Sequence, residues 1–334
     1  MHHDLCEITL KSGEHVQATV VHAPDMNWRE RITNLLAHKD EIWRWQVAHL
    51  LSDSTGSGVE TRFYLLHRDG LPFSNVMTVE FAGVGLLGHV WTSPNHRQQG
   101  AASALMSQAL HHFKERGGKA LYLETGFDSP PFHLYRKLGF EPFDPNSGIM
   151  QLSTTTMPQF EAAYFAPGET QVVPFAWPQW AVASALFTGD FPGVVRSAPF
   201  KLLGRSLIEE ALLPVVRQQL TRTAGTSSHA LVLQKTDNGA VVGFAAWSFD
   251  PLWPGTCLVD VWCHPHFWSR AEELLRSLAL PAVRRVVALT DAHCPEKAST
   301  LQASRFRPVA TLPQWAAANA AYSQWVDVTV WERA

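Results

Sequence analysis

An α/β (α+β) chain in which one strand-and-helix unit occurs twice is the architecture the sequence predicts. Three observations carry it. Short apolar blocks rich in β-formers, bounded by turn residues, alternate with stretches of helical periodicity. One block, Gly85 to Thr92, passes through a tight turn into a helix and back into a strand. The run His89-Val90-Trp91-Thr92-Ser93-Pro94 has a near copy in Asp260-Val261-Trp262-Cys263-His264-Pro265.

In chain order, Glu7 to Val21 alternates as a strand pair that turns at Ser12-Gly13. Pro24 and Asp25 open a helical region from Met26 to Leu51. Ala37-His38-Lys39-Asp40 interrupts its apolar stripe, which predicts two helices. Ser52 to Gly58 reads as a polar loop. Thr61–His67 and Val76–Phe81 read as strands, the first ending in the turn Arg68-Asp69-Gly70, the second leading through Ala82-Gly83 into Gly85–Thr92. Beyond Pro94 the period changes, and Ala102, Leu105, Met106, Ala109, Leu110 and Phe113 share one helical face. Gly117-Gly118 stops that helix. Ala120–Glu124 is the next strand, parallel to Leu86–Trp91 if the helix is its crossover. A short helix in PPFHLYRK, closed by Gly139, precedes another strand, and Ile149–Leu152 is the last strand of this half.

Between strand and helix lies Arg97-Gln98-Gln99-Gly100-Ala101-Ala102, where the residues next to the helix axis are small. A helix start presents unpaired N–H groups and the positive end of the helix dipole. Small residues let a phosphate approach that backbone, and an adjacent arginine adds a mobile positive charge. The physical reading is a pyrophosphate cradle.

The order Val90-Trp91-Thr92-Ser93-Pro94-Asn95-His96-Arg97-Gln98-Gln99-Gly100-Ala101-Ala102 resembles the acetyl-CoA motif of the GNAT superfamily of N-acetyltransferases. That motif is a hydrophobic strand followed by Arg/Gln-x-x-Gly-x-Gly/Ala, and Arg97, Gly100 and Ala102 stand at its three defining positions. Leu134-Tyr135-Arg136-Lys137-Leu138-Gly139-Phe140 is similar to the Leu-Tyr-x-x-x-Gly-Phe segment of the same family. Two residues depart from the pattern: Asp128 stands where Asn is frequent, and Pro131 where Ala is frequent. The resemblance is sharp from Leu86 to Phe143, and the order of elements extends it back to Glu7.

The resemblance implies GNAT-like domains, each a mixed, mostly antiparallel twisted sheet with flanking helices. It implies acetyl-CoA as co-substrate and a primary amine as acceptor, the amine attacking the thioester directly in a ternary complex. The backbone of Val90, Trp91 and Thr92 would pair with the pantetheine arm. Arg97 and the N–H groups of Gln98, Gln99, Gly100, Ala101, Ala102 and Ser103 would hold the pyrophosphate. Asp128 falls at a cofactor-binding position with a weakened hydrogen bond. Tyr135 falls at the general acid; a phenol near pKa ~10 faces a thiol near ~8.5. Many members place a carboxylate early in the fourth strand, where this chain has Gly85-Leu86. Glu80, Glu124 and His89 are the remaining base candidates. His89 and Val90 point to opposite faces of their strand, so only one lines the cleft. Deprotonation through ordered water needs no dedicated base. The alternative function is a non-catalytic acyl-CoA-binding sensor or interaction protein.

The domain expectation is 1–155 for the first unit, 156–170 for a linker, where periodicity fades and proline and glycine appear, and 171–334 for the second. The second half repeats the order of elements. His229–Lys235 and Val241–Trp247 flank the turn Asp237-Asn238-Gly239; Cys257–Trp262 leads to a helix Ala271–Leu280; strands Arg285–Leu289 and Val326–Trp331 follow. The chemistry does not repeat. In register, Arg97 becomes Trp268, Gly100 becomes Ala271, Ala102 becomes Glu273 and Tyr135 becomes Leu301. Glu272 and Glu273 would repel a pyrophosphate at that helix start. A degenerate, non-catalytic second domain is therefore expected, supplying substrate-binding surface or an oligomer contact, with a homodimer among the expectations. Cys263, His264, His266, His293 and Cys294 fall at two neighbouring strand ends, but their spacing matches no strong zinc pattern, and no metal is expected.

Composition narrows the partners. The formal net charge is −3 and no basic block stands out, so neither nucleic acid nor an anionic membrane gains electrostatic support. The N-terminus lacks an apolar signal core, no apolar run is long enough to span a bilayer, and four cysteines make no disulfide framework. A reduced, cytoplasmic protein is the expectation. Tryptophans such as Trp43, Trp45, Trp180 and Trp262 lie within helical or strand patterns, as packing residues do.

Overall fold

The computed structural model describes residues 1–52, 58–221, 228–319 and 323–333. The chain divides into two compact units, Met1–Pro142 with Gly148–Thr156, and Phe143–Ser147 with Met157–Ala334. Each is described by itself.

The first unit contains β1 (His2–Thr9), β2 (His15–His22), α1 (Met26–Leu35), α2 (Glu41–Ser52), β3 (Glu60–Arg68), β4 (Leu71–Phe81), β5 (Val84–Thr92), α3 (Ala101–Glu115), β6 (Ala120–Glu124), α4 (Pro130–Lys137), β7 (Glu141–Pro142) and β8 (Ile149–Ser153). Its eight strands form one sheet in the order β1-β2-β3-β4-β5-β6-β8-β7. Every pair is antiparallel except β5 and β6, whose parallel register joins Val84, Gly85 and Leu86 to Ala120, Leu121 and Tyr122. The crossover between them is α3, as the period change beyond Pro94 predicts. Leu105, Met106, Ala109, Leu110 and Phe113 bury the apolar stripe of α3 in a core shared with Leu87, Leu121, Phe132 and Phe140. Each large side chain so buried stabilises the fold by about 1.5–3 kcal/mol. The region Met26–Leu51 is two helices, divided where the stripe breaks. Most of the predicted polar loop, residues 53–57, lies outside the described residues.

The second unit contains α5 (Met157–Tyr164), β9 (Thr170–Pro174), α6 (Trp177–Thr188), β10 (Val195–Ser197), β11 (Leu202–Leu203), α7 (Glu209–Thr221), β12 (Ser228–Lys235), β13 (Val241–Phe249), β14 (Thr256–Cys263), α8 (Ala271–Arg276), β15 (Arg285–Asp291), α9 (Pro295–Ala303), β16 (Phe306–Ala317) and β17 (Trp325–Arg333). Seven strands form a sheet in the order β9-β12-β13-β14-β15-β17-β16, and β10 and β11 pair separately. Apart from β1, this is the strand order of the first sheet, and the one parallel pair, β14 with β15, again lies where a helix crosses over. No helix among the described residues is long and apolar enough to cross a membrane.

Several features of this half differ from what the sequence predicts. The stretch 156–170 is irregular only in part: α5 occupies Met157–Tyr164 and buries Phe160 and Tyr164, which stack at 4.9 Å. The helix at Ala271 ends at Arg276, four residues early. The strands β9, β10, β11 and β16 and the helices α6, α7 and α9 are not among the elements that the sequence predicts. Every residue of α6 is buried, so no polar face marks a helical period. Pro308 and Pro313 interrupt the pattern of β16. That strand accepts them because it lies at the sheet edge, and its register with β17 shifts at Pro308/Ala310 and Leu312/Ala316.

Candidate active site

The centre of the first unit is the far end of β5. Its ladder with β6 stops at Leu86, although β5 continues to Thr92. Beyond Leu86 the edge of β5 facing β6 is therefore unpaired. On its other side β5 carries a β-bulge: Asn75 pairs with Trp91 and Met77 with Gly88, leaving His89 and Val90 opposite Val76 alone. His89 takes a left-handed φ of 50° there, and Asn75 Nδ2 donates to its carbonyl at 2.8 Å.

After β5, Ser93 N donates to Phe73 O, Pro94–His96 forms a 3₁₀ turn, and Gly100 caps α3 with φ 82°. That left-handed conformation is what requires glycine at the cap. The first-turn N–H groups of Ala101, Ala102 and Ser103 have no intrahelical acceptor, and the turn carries no acidic side chain. Arg97 lies beside this start. Its guanidinium sits 4.6 Å over the Trp91 ring and its Nε donates to Thr92 O at 3.0 Å. His38 stacks on Trp91 at 3.7 Å, and its pKa is lowered by burial and by the nearby Lys39.

These groups border one cavity of about 350 Å³, lined by Val90, Trp91, Thr92, His96, Arg97, Gln98, Gly100 to Ser103, Pro130, Pro131, Leu134 and Tyr135. The cradle and the tyrosine meet there because α4 is held against the same core as α3. Ser129 caps α4, with Pro130 at its first position, and the Phe140 N–H closes its end on Tyr135 O at 3.0 Å. Tyr135 is 7% exposed and packs on Phe140. Burial pushes its phenol up to about 12.

Other predicted site residues lie outside this cavity. Gln99 does not line it; its carbonyl accepts from Lys11 N at 3.0 Å. Asp128 adopts a left-handed φ of 57°, as Asn and Asp do more readily than most residues, and its exposed carboxylate pairs with His133 at 3.0 Å. None of the three base candidates borders the cavity. Glu80 is 2% exposed and accepts from Arg116 at 2.9 Å. Glu124 is an exposed residue at the end of β6. His89 sits in the bulge off the cavity, and its Nε2 lies 2.9 Å from Gln46 Oε1. Burial first, then the nearby Lys39, lowers the pKa of that imidazole to about 3. At Gly85 a Cβ would lie 2.2 Å from Val79 O, so no carboxylate can stand at that position.

The sequence reading missed His96, which lines the cavity with its ring 4.6 Å from Phe73, and Lys11, whose stem lies 3.7 Å from the place of a Gly100 Cβ. Lys11 sits in the β1–β2 turn, far from the motif in sequence, and no local pattern marks it.

In the second unit the corresponding helix α8 begins with Ala271, fully buried. Glu273 is held by Arg270 at 2.7 Å and Glu272 by Arg276. Leu301 of α9 is fully buried. Cys263, His264, His266, His293 and Cys294 do not converge: among the described residues no three His, Cys, Asp or Glu side chains are grouped to hold a metal. His264 stacks on Phe165, and burial raises the Cys294 thiol to about 11.

Residues 65–140 match the model of the acetyltransferase (GNAT) family. No curated protein matches the chain. Among solved structures, an N-acetyltransferase from Staphylococcus aureus Mu50 is 17% identical, covering 49% of this chain and 98% of its own, with a TM-score of 0.38. An acetyltransferase of the GNAT family from Streptococcus pneumoniae is 13% identical, covering 49% and 99%, with a TM-score of 0.37. The protein yncA of Salmonella typhimurium, solved with its cofactor acetyl-CoA, is 16% identical, covering 49% and 92%, with a TM-score of 0.35. Residues 65–140, within the first unit, are therefore similar to the acetyltransferase (GNAT) family.

Proposed function

We propose that the first unit is an acetyl-CoA-dependent N-acetyltransferase that moves an acetyl group onto a primary amine by direct attack in a ternary complex. The observation that carries this reading is a single cavity bordered both by Arg97 with the acid-free start of α3 and by Tyr135. Bound acetyl-CoA supplies an acyl group activated as a thioester. Arg97 and the N–H groups of Gln98 and of Gly100 to Ser103 would hold its pyrophosphate, with Lys11 adding a second cation nearby. The unpaired edge of Val90–Thr92 would bond the amides of its pantetheine arm.

Tyr135 Oη holds the proton needed at sulfur. As the amine nitrogen bonds to the carbonyl carbon and the C–S bond breaks, charge grows on sulfur and Oη donates to it. A phenol raised to about 12 stays neutral throughout the physiological range. Its gap from a thiol near ~8.5 favours a strong hydrogen bond to the developing thiolate over early, complete transfer. The amine must lose a proton as well. With Gly85 closed to any side chain and Glu80, Glu124 and His89 off the cavity, ordered water is the route we favour.

The same lack of a carboxylate supports a second reading, a non-catalytic acyl-CoA sensor. Calorimetry with CoA, combined with thiol release from acetyl-CoA and a panel of amines, separates the two. Binding with amine-dependent release supports the enzyme, and binding without release on a broad panel supports the sensor. Equal CoA binding by wild type and Gly100→Glu would sink both, because that change puts a side chain and a negative charge at a left-handed cap beside the cradle. We further propose that the second unit is a degenerate, non-catalytic copy, since Glu272 and Glu273 occupy the first turn of α8 and Leu301 replaces the tyrosine.

A further inference from the structure

In both sheets the parallel ladder covers three residue pairs and then ends, Leu86 with Tyr122 in one and Leu258 with Val287 in the other, while both longer strands run on. The first unit has its cavity beyond this point. In the second unit, residues 192–198 lie between groups contributed by β14, β15 and α9. At the end of β15, Asp291 Oδ2 accepts from the N–H groups of Val194 and Val195 at 2.9 and 2.8 Å. From β14, Asp260 Oδ2 accepts from Ala198 N at 2.7 Å, and Trp262 Nε1 donates to Pro192 O at 3.0 Å. From the first turn of α9, the counterpart of α4, Lys297 Nζ donates to Val195 O at 2.8 Å and pairs with Asp260 Oδ1 at 2.5 Å.

We propose that residues 192–198 fill the second unit's counterpart of the acyl-CoA cleft from within, so that the chain offers one acyl-CoA site and not two. The inference rests on the acyl-CoA reading of the first unit.

The chemistry of the plug matches what a pantetheine arm would need from such a cleft: amide groups bonded between two parted parallel strands. The chain provides its own amides and makes the fit specific with charged partners. Trp262 and Lys297 stand, 171 and 166 residues on, at the register positions of Trp91 and Pro131, which line the first unit's cavity, and Lys297 reaches Asp260 with both side chains at most 1% exposed. Val194 to Ser197 are at most 4% exposed. Gly193, with φ 103°, lets the segment pass where a Cβ would lie 3.0 Å from Trp262 Nε1. Arg196 fastens the turn: its guanidinium donates to the carbonyls of Phe187, Gly189 and Phe191 and lies 4.4 Å over Trp262. An incoming ligand would have to expel this segment and leave Asp260, Asp291 and Lys297 buried without those partners. A tethered segment loses no translational freedom on binding, whereas a ligand does.

Two measurements test this. Calorimetry of CoA against wild type and Gly100→Glu is expected to give one site per chain, falling to none in the variant. Two sites in wild type, or one surviving in Gly100→Glu, would overturn the proposal. Hydrogen exchange of the peptide containing residues 192–198 is expected to be at least about 100-fold slower than in the unfolded chain, and unchanged at saturating CoA. Fast exchange there, or deprotection by CoA, would overturn it. Should wild type bind no CoA at all, the acyl-CoA reading of the first unit falls, and the exchange result still decides whether the second cleft is closed by its own chain.

Discussion

Replacing Tyr135 with phenylalanine removes one oxygen from the cavity and little else. The ring stays packed on Phe140, and among the described residues Oη has no hydrogen-bond partner to lose. Folding stability should therefore change by no more than about 0.5 kcal/mol. CoA affinity should stay within about 2-fold, because the pyrophosphate and arm contacts lie on Arg97, α3 and β5. The rate of acetyl transfer should fall by about 10²–10⁴-fold, the usual contribution of a positioned acid, which is about 2.7–5.4 kcal/mol of barrier. The pH profile adds a sign. With its phenol raised to about 12 by burial, wild-type Tyr135 stays protonated through the neutral range, so it adds no falling limb below about pH 10. The assay is thiol release from acetyl-CoA at saturating amine, with calorimetry on the same preparations. A Tyr135→Phe enzyme that turns over at the wild-type rate while binding CoA normally would refute the role.

Further perturbations probe other parts of the account. Arg97→Ala should weaken CoA by about 10- to 100-fold, as loss of a charge-assisted contact does, and should flatten the salt dependence of binding measured by calorimetry. Binding of pantetheine, which lacks the pyrophosphate, should not respond. Gly85→Ala should destabilise the fold by about 1–3 kcal/mol or more in denaturant melts, because its Cβ would lie 2.2 Å from Val79 O. Acid should destabilise the fold through His89. Its folded pKa of about 3 lies below the unfolded value, so its contribution is complete above about pH 6.5 and is lost as pH falls toward 3. By pH 4 the loss should be on the order of 3 kcal/mol, and His89→Gln should flatten that limb in melts run from pH 7 to 4.

The helices legible in the sequence are those with one wet face. The helix α3 shows its stripe because Ser103, Ser107 and Lys114 face solvent opposite Leu105, Met106 and Phe113. The break at 37–40 separates α1 from α2 for the same reason. The helix α6 has no wet face and left no period to read. Within the site, the cradle was legible because strand, turn and helix start are contiguous in the chain. Val90 lines the cavity and His89 does not, the outcome that alternation predicts, although the backbone there is a bulge that alternation does not describe. What could not be read depends on contacts distant in sequence: Lys11 beside Gly100, Glu80 held by Arg116, and the three-residue β10 carried into its place by Asp260, Asp291 and Lys297. The pKa of Tyr135 belongs to the same class. Its rise comes from burial between helix and sheet, which a motif does not encode.

The central claim, that the first unit binds acyl-CoA in order to transfer its acyl group to an amine, is tested most directly by one assay. The purified chain is mixed with acetyl-CoA and a panel of polyamines, amino acids and lysine peptides, and free thiol and acetylated amine are quantified together. The account predicts amine-dependent release of one thiol per acetyl group transferred. Tight CoA binding with no release above background across the panel would contradict it.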